Sequence, residues 1–413
     1  MSDAELSNVV VSETGPNSDA GGRGAPHERE AGRRAFLKWA ATLGAAVSGG
    51  ALTATAAGAQ SYGGITKGDA ALLRFAAAAE IIESDLWLQY AELGGFQDDE
   101  LPKLAASLIP GYPHTKTGGN PAYTAALKQL DGDMPQYIHD NTEDELTHEH
   151  FINAYLTSKG ADPVNLDSFR TIPGSQATGA NKGFHRLTNL TKLTVDTTWW
   201  TRYRSRNKNP DLGDTFPPAI PTLAMNQHTA IPRTDADAVL NSDFTQAVGN
   251  TAGFHFAWIE QGGTSLYPKF AQRAKNVEVL RILLSIGGTE ISHFQTWHDK
   301  AGNAKVLKDV VDPVTHVSVT FPDLNSPTPP PPLVLEDLQT NLIMPEPTVF
   351  LSRQFPPVSI IRPTETKGAA MAAVKALTDD GLFIGQTNME FFELLQDLAS
   401  DADAARRGGG NDD

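Results

Sequence analysis

The sequence contains no cysteine. This absence excludes disulfides, thiolate metal sites, iron–sulfur clusters and cysteine nucleophiles. The Gly-x-Ser-x-Gly elbow, the phosphate-binding loop and the glycine-rich dinucleotide fingerprint are also absent. Hydrolase, kinase and dehydrogenase functions therefore have no support, and no organic cofactor is expected. Any metal bound here must be held by oxygen and nitrogen ligands.

Basic residues are outnumbered, with 33 Lys and Arg against 49 Asp and Glu and a formal net charge of −16. Such an acidic surface argues against nucleic acid and anionic membranes as partners. It would attract cations, but solubility is the simpler explanation of the charge. At 413 residues the chain is long enough for one large core and further appended structure.

The N-terminus resembles an export signal. Residues 1–32 are polar, and Arg33-Arg34-Ala35-Phe36-Leu37-Lys38 then leads into an apolar stretch rich in Ala and Gly. Paired arginines before such a stretch resemble a twin-arginine signal, which exports folded proteins. Ala57-Gly58-Ala59 fits the small-residue cleavage rule, so residues 1–59 are predicted to be removed. An uncut anchor is the alternative, but the Gly and Thr content disfavours a spanning helix. We expect a periplasmic or secreted protein that the twin-arginine machinery exports.

The mature chain is predicted to be all-α, because apolar residues recur at helical spacing through most of 60–300. The predicted helices span about 69–93, 101–108, 122–130, 135–159, 184–204, 242–267 and 277–300. Pro268 is expected to stop the sixth of these helices. Residues 205–242 hold five prolines and are predicted to form an ordered loop or lid.

Residues 301–413 differ in character and are predicted to be a mixed C-terminal extension. Residues 317–321 alternate like a strand, and 327–332 are proline-rich. Surface helices are expected at 364–377 and 389–405.

One short motif occurs twice, at Glu145-Leu146-Thr147-His148 and at Glu290-Ile291-Ser292-His293. Both copies lie in predicted helices. Residues three apart share one helical face, so the carboxylate and the imidazole of each motif can converge on one point. A single Glu-x-x-His is common by chance, but two copies with the same residue types are more informative.

Two further helices each place one glutamate in matched surroundings. Aromatic and aliphatic residues follow Glu80 and Glu260 at the same offsets of six, seven and ten residues. Both glutamates lie on otherwise apolar faces, where burial of a lone carboxylate would cost several kcal/mol or force it neutral. A cationic partner is therefore expected for each.

The order along the chain is Glu, Glu-x-x-His, Glu, Glu-x-x-His, which is the ligand arrangement of di-iron and di-manganese carboxylate bundles. Four carboxylates and two imidazoles suit Fe, Mn or a mixed pair. We therefore predict two metal ions, with iron as the expected metal. The predicted ligands are Glu80, Glu145, His148, Glu260, Glu290 and His293.

Three segments resemble the secreted ferritin-like family that includes desiccation-related proteins: Ala79–Trp87, Ile259–Tyr267 and Leu284–His293. The third has an altered glycine spacing. The resemblance covers about 70–160 and 245–300, whereas 205–242 and everything after 300 depart from it. It implies a ferritin-like four-helix bundle and dimetal chemistry with dioxygen or peroxide. By that analogy Glu80 and Glu260 are terminal ligands, Glu145 and Glu290 bridge, and each histidine caps one metal.

Several alternatives stay open. Glu83 lies one turn from Glu80 and is a rival ligand, although Glu80 matches Glu260 better. Charged neighbours of the second-helix motif, such as Glu149, are expected on a solvated face. Trp87 and Tyr267 are possible redox relays, and plain core is the favoured reading of Trp87. His150 and His298 are expected at the surface or just outside the ligands, and Gly262 and Gly263 indicate close packing or space beside the metals. A dense group of large side chains indicates either a binding wall or simple packing: Trp199, Trp200, Arg202, Tyr203 and Arg204.

The favoured function is an exported dimetal oxidoreductase that activates dioxygen or peroxide and acts on an unidentified small molecule. The alternative is a metal-binding protein for storage or desiccation stress, without turnover of an organic substrate. A degenerate bundle that only stabilises envelopes ranks last. A homodimer is one option for the assembly.

Overall fold

The computed structural model describes residues 64–202, 215–326, 328 and 369–407, and the backbone of 345–347 and 357–359. The predicted signal peptide therefore lies outside the described residues. Within them the predicted all-α fold is confirmed. Four long helices form a bundle: α1 (Lys67–Gly94), α4 (Met134–Ser158), α7 (Asp243–Ala271) and α8 (Val277–Ala301). No helix of the described residues is long and apolar enough to cross a membrane.

Shorter elements connect and cover these helices. The short α-helices are α2 (Glu100–Leu108), α3 (Pro121–Leu127), α5 (Thr198–Arg202), α6 (Pro221–Met225), α9 (Ala369–Asp379) and α10 (Met389–Ala404). Short strands form antiparallel pairs: β1 (Ile172–Pro173) with β2 (His185–Arg186), β3 (Leu307–Val311) with β4 (Ser318–Phe321), and β5 (Pro345–Pro347) with β6 (Pro357–Ser359). The predicted strand at 317–321 is thus β4, whereas most of the proline-rich run at 327–332 lies outside the described residues.

The bundle consists of two antiparallel helix pairs, α1 with α4 and α7 with α8. Asp69 fixes the start of α1 in two ways. Its carboxylate closes a capping box with Thr66, and it also accepts the backbone N–H groups of Lys275 and Asn276 in the α7–α8 turn. The first turn of α1 is thereby held against the α7–α8 hairpin.

A buried aromatic cluster fills part of the bundle core. The Trp87 ring stacks on Trp297 with a centroid distance of 5.2 Å and packs on Phe256 at 4.9 Å. All three rings are almost fully buried. Because large aromatic side chains contribute strongly to core energetics, this cluster joins the two helix pairs.

The C-terminal helices belong to the same body. Helix α10 packs on α1, and α9 packs on α7. Phe391, Leu395 and Leu398 of α10 are buried, so this helix covers core rather than lying loosely on the surface. The predicted helical segments are present, but their packing is closer than a surface position implies.

The predicted helix over 184–204 is largely wrong, because within its described part, 184–202, only Thr198–Arg202 is helical. The preceding residues comprise β2 and irregular backbone, and they form hydrogen bonds with other parts of the fold. The backbone N–H of Thr188 donates to Asp85 at 2.9 Å, and the N–H of Leu193 donates to the carbonyl of His228 at 2.8 Å. The helix-like spacing of the leucines reflects burial against the bundle, and four β-branched threonines between 188 and 197 disfavour helix.

Helix α7 also differs from expectation, because it continues through Pro268 to Ala271. A proline removes one backbone donor, and here this happens only within the last turn. Phe270 and Ala271 beyond it are buried, so packing compensates for the lost hydrogen bond.

Candidate metal centre

All six side chains predicted as metal ligands meet inside the bundle, each of the four long helices contributing to the cluster. They form two groups in which the ligand atoms lie within 4.8 Å of one another. The members of one group are Glu80, Glu145, His148 and Glu290, and those of the other are Glu145, Glu260, Glu290 and His293. Glu145 and Glu290 therefore belong to both groups.

The two oxygens of Glu145 face different groups. Its Oε2 lies 3.0 Å from His148 Nδ1, and its Oε1 lies 3.0 Å from His293 Nδ1. The imidazole centroids of the two histidines are 6.5 Å apart. A carboxylate in this position can contact a cation on either side.

Asp144 orients the second histidine from outside the cluster. Its Oδ2 lies 3.1 Å from His293 Nε2. Such a contact favours the tautomer with a proton on Nε2, which leaves the Nδ1 lone pair directed at Glu145 and Glu260. A carboxylate behind a histidine is a common feature of metal sites.

Asn141 orients the carboxylates of Glu145 and Glu260. Its Nδ2 donates to Glu145 Oε1 at 2.7 Å and to Glu260 Oε1 at 3.0 Å. Its Oδ1 accepts a hydrogen bond from Trp297 Nε1 at 2.7 Å. The amide orientation is consistent with all three contacts, so Asn141 fixes two of the carboxylates and links the cluster to the aromatic core.

Gly263 leaves room for the Glu290 side chain where α7 and α8 lie close together. A Cβ on Gly263 would lie 2.2 Å from Glu290 Oε2, whereas a Cβ on Gly262 would meet nothing within 4 Å. The two neighbouring glycines therefore have different roles: Gly263 allows close packing and Gly262 lines open space. On the other side of the cluster, the Tyr267 hydroxyl donates to Glu80 Oε1.

The protonation of the cluster reflects burial and mutual repulsion. Burial raises the pKa of Glu80 to about 7, although His148 opposes the shift. Burial and the charge of Glu145 raise the pKa of Glu290 well above its usual value. His148 is stabilised as a cation because Glu145 and Glu80 outweigh its burial and raise its pKa to about 10. Without a metal the cluster therefore retains protons, which a metal ion would have to displace.

The donor set fits divalent metal ions. Several buried atoms that could bind a metal make no hydrogen bond within the described residues: Glu80 Oε2, Glu260 Oε2, both oxygens of Glu290, and His293 Nδ1. Glu80 Oε2 and Glu260 Oε2 lie 3.4 and 3.3 Å from His148 and His293 without a hydrogen bond. Buried carboxylate oxygens that make no hydrogen bond are costly, and a bound cation removes that cost. Divalent ions bind N and O ligands at about 2.0–2.2 Å, so opposite ligand atoms about 4 Å apart match the observed spread.

Glu83 does not belong to either group of candidate ligands, which favours Glu80 between the two. Glu83 lies beside the cluster in the wall of a cavity of about 320 Å³. Its Oε1 is buried without a hydrogen-bond partner, and burial with the nearby Glu260 raises its pKa well above the usual value.

This cavity reaches the cluster from the surface. Glu80, Glu83, Gly263 and Tyr267 line its inner end. Apolar side chains of three helices form its walls: Ile82 and Leu86 of α1, Ile259 and Leu266 of α7, and Ala372, Ala373, Ala376 and Leu377 of α9. Within the described residues, no side chain of 215–242 lines this cavity. Residues 205–214 of the predicted loop or lid lie outside the described residues, so the lid stays a prediction, and α9 of the C-terminal extension forms part of the cavity wall.

A third group of potential ligands, which the sequence motifs did not reveal, lies at one end of α4. His139 Nε2 is 3.3 Å from Asp98 and 3.6 Å from Glu143. The backbone N–H of Gln97 donates to His139 Nδ1 at 3.2 Å, so in a neutral ring the proton is on Nε2. That nitrogen then has no lone pair for a metal, and its N–H faces the carboxylates of Asp98 and Glu143.

Most of the other residues whose role was left open in the sequence analysis pack in the core. Trp199 and Trp200 are fully buried, and Trp200 stacks on His298 with a centroid distance of 4.7 Å. His298 is therefore buried and neither at the surface nor in a ligand group. Arg202 lines the cavity, while Tyr203 and Arg204 lie outside the described residues. The expectation of a solvated face is wrong for Glu149, which is 8% exposed.

The fold and the site define a helical-bundle protein with a buried carboxylate–histidine cluster that is able to hold metal ions. Neither the known family models, the curated proteins nor the solved structures contain a match to this chain.

Proposed function

We propose that this protein is a ferritin-like dimetal oxidoreductase, exported by the twin-arginine route, which uses dioxygen or peroxide to oxidise a small molecule. One observation supports the proposal above all others: two four-residue ligand groups share Glu145 and Glu290. Sharing two carboxylates between two cations offsets their mutual repulsion at close range. Iron is the expected metal, with manganese or a mixed pair as alternatives.

Each residue has a role that follows from its position. Glu145 and Glu290 would bridge two ions, and Glu80 with His148 would complete one set of ligands. Glu260 with His293 would complete the other set. When bound, the two ions would supply redox and Lewis-acid chemistry.

Residues around the cluster position its carboxylates and line the cavity beside it. Tyr267 donates to Glu80 and fixes its carboxylate, while Asn141 fixes Glu145 and Glu260. Glu83, with its raised pKa, holds a proton at the inner end of the cavity. The apolar walls exclude water and favour an apolar or amphipathic molecule small enough for about 320 Å³.

Metal content of variants tests this proposal. We expect about two Fe or Mn per chain by elemental mass spectrometry after anaerobic loading of the purified protein with Fe(II) or Mn(II). Glu145→Ala or Glu290→Ala should lose both ions, because each residue belongs to both groups, whereas Glu80→Ala or Glu260→Ala should mainly affect one. Glu393→Ala, at an exposed position on α10, is the matched control and should bind as the unchanged protein does.

The same experiment separates the enzyme from the storage alternative. Uptake that stops at about two ions and is followed by dioxygen or peroxide consumption supports an oxidoreductase. Uptake of many more ions per chain in a large assembly would favour storage. Absence of binding, or normal metal content in Glu145→Ala and Glu290→Ala, would refute the dimetal site.

A further inference from the structure

A continuous row of buried aromatic rings leads away from the candidate metal centre. Asn141 links the centre to this row, because it forms hydrogen bonds with Glu145 and Glu260 on one side and with Trp297 on the other. The Trp297 ring stacks on Trp87 at an interplanar angle of 26°. Trp87 in turn contacts Tyr90 with a centroid distance of 5.8 Å.

The row ends in a triad of buried polar side chains, Tyr90, His255 and Asp380, in which Tyr90 and His255 are hydrogen-bonded and Asp380 lies close to His255. The Tyr90 hydroxyl lies 2.8 Å from His255 Nδ1. His255 Nε2 lies 3.3 Å from Asp380 Oδ2. Tyr90 and His255 are fully buried, and Asp380 is 3% exposed. The three residues come from α1, from α7 and from the residue directly after α9.

The triad is arranged to move one proton. Burial raises the pKa of the Tyr90 phenol well above its usual value, so the phenol is protonated at neutral pH and donates to His255. In the neutral tautomer with its proton on Nε2, His255 accepts this hydrogen bond at Nδ1, and its Nε2 lies 3.3 Å from Asp380 Oδ2. A proton arriving at Nδ1 would form an imidazolium whose Nε2 lies 3.3 Å from Asp380 Oδ2.

We infer that Tyr90 is a redox-active tyrosine, connected to the metal centre through Trp297 and Trp87 and to a proton acceptor through His255. This inference rests on the proposed function, since dioxygen or peroxide must first oxidise the metal pair. One electron then passes from Tyr90 through Trp87 and Trp297 to the oxidised centre. The phenol O–H bond breaks, and its proton moves to His255 Nδ1. The products are a neutral tyrosyl radical, an imidazolium and a centre reduced by one electron.

Other buried tyrosines lack this combination. The Tyr123 hydroxyl donates to the carbonyl of Ala230 at 2.8 Å, and a carbonyl is no base for a phenol proton. Tyr267 contacts Glu80 directly and is part of the cluster itself. Tyr90 alone among these three has both a ring contact to the Trp297–Trp87 row and an imidazole acceptor.

Electron paramagnetic resonance on frozen samples tests the inference. The full chain is loaded with Fe(II), mixed with dioxygen or with hydrogen peroxide, and frozen at successive times. We expect an organic radical signal whose hyperfine splitting narrows when the protein contains ring-deuterated tyrosine. Tyr90→Phe should abolish the signal without changing metal content, and Tyr123→Phe is the matched control that should keep it.

Two further variants test the connection and the proton acceptor. Trp87→Phe should lower the radical yield, and His255→Gln, which keeps a polar side chain but removes the base, should shorten the radical's lifetime. A radical that survives in Tyr90→Phe, or no radical in protein that binds two metals and consumes peroxide, overturns the inference and leaves the proposed function intact. Failure to bind metal or to consume either oxidant overturns both.

Discussion

Gly263 faces Glu290 so closely that a Cβ at position 263 would lie 2.2 Å from Oε2 and 2.9 Å from Cδ of the carboxylate. One missing methyl group on α7 therefore allows Glu290 of α8 to point into the cluster. The adjacent Gly262 has no such neighbour, since a Cβ there meets nothing within 4 Å. Neighbouring glycines in one helix thus offer an experiment with an internal control.

Gly263→Ala should displace the Glu290 carboxylate and reduce metal content, because Glu290 belongs to both ligand groups. Gly262→Ala should leave metal content unchanged. It should also stabilise the protein by up to about 1 kcal/mol, since alanine favours helix over glycine. Elemental analysis and urea denaturation measure both effects. Equal metal content in the two variants would contradict a role of Glu290 in binding.

Asp144 is expected to strengthen metal binding without touching the metal, because its Oδ2 lies 3.1 Å from His293 Nε2. Removal of such an outer partner weakens metal affinity by about 10–100-fold in known sites. Asp144→Asn should therefore lower affinity in a competitive chelator titration.

The matched control for Asp144 is Asp140→Asn, one turn earlier on α4, where the carboxylate accepts a hydrogen bond from Gln136. This variant should bind metal as the unchanged protein does. If Asp144→Asn and Asp140→Asn bind equally well, the contact to His293 is only incidental.

The sequence was sufficient for the parts of the site that depend on local spacing. Glu145 with His148, and Glu290 with His293, each share a helical face whatever the remaining fold does. The long helices could be located for the same reason, within one or two residues for α1, α4 and α8. We predicted that the four helices converge because each carries a glutamate or a Glu-x-x-His motif that matches one ligand arrangement.

The parts that depend on distant partners were not predictable. Leu187 and Thr188 look helical in spacing, but Asp85 of α1 accepts both of their backbone N–H groups. Asn141 shows no motif, although it bonds two carboxylates of the cluster. The contribution of α9 to the cavity wall likewise depends on tertiary packing, which a single sequence does not reveal.

Asp85 is expected to be a major source of stability outside the metal centre. Its carboxylate accepts the N–H groups of Leu187 and Thr188 and pairs with Arg170 at 2.6 Å. Asp85→Ala would leave the buried guanidinium and two backbone donors without this partner. We expect a loss of about 3–5 kcal/mol in the free energy of unfolding, measured by urea denaturation.

Asp167, which also pairs with Arg170 but is half-exposed, provides the control for Asp85. Asp167→Ala should cost no more than about 1 kcal/mol, because Asp167 is partly screened by solvent and its removal leaves Arg170 paired with Asp85. Similar losses in the two variants would mean that burial of the Asp85–Arg170 pair adds nothing.

Glu149 is expected to make the metal-free protein less stable as the pH rises. Burial raises its pKa to about 8 in the folded protein, although Arg170 opposes the shift. In the unfolded chain a glutamate ionises near pH 4.3. Between these values the folded state holds a proton that the unfolded state has lost, so the free energy of unfolding falls with rising pH. The effect is at most about 1.4 kcal/mol per pH unit.

Glu149→Gln removes the titrating group and keeps its size, so its stability should fall less steeply between pH 5 and pH 8 than that of the unchanged protein, with both proteins kept in chelator. Glu80 and His148, whose raised pKa values also lower stability as the pH rises, remain in both proteins and cancel in the comparison. Thermal melts at a series of pH values measure the difference, and Glu393→Gln on the exposed face of α10 should follow the unchanged protein. Parallel curves for Glu149→Gln and the unchanged protein would show that the Glu149 carboxyl titrates alike in the folded and unfolded states, which its burial against α1 makes unfavourable.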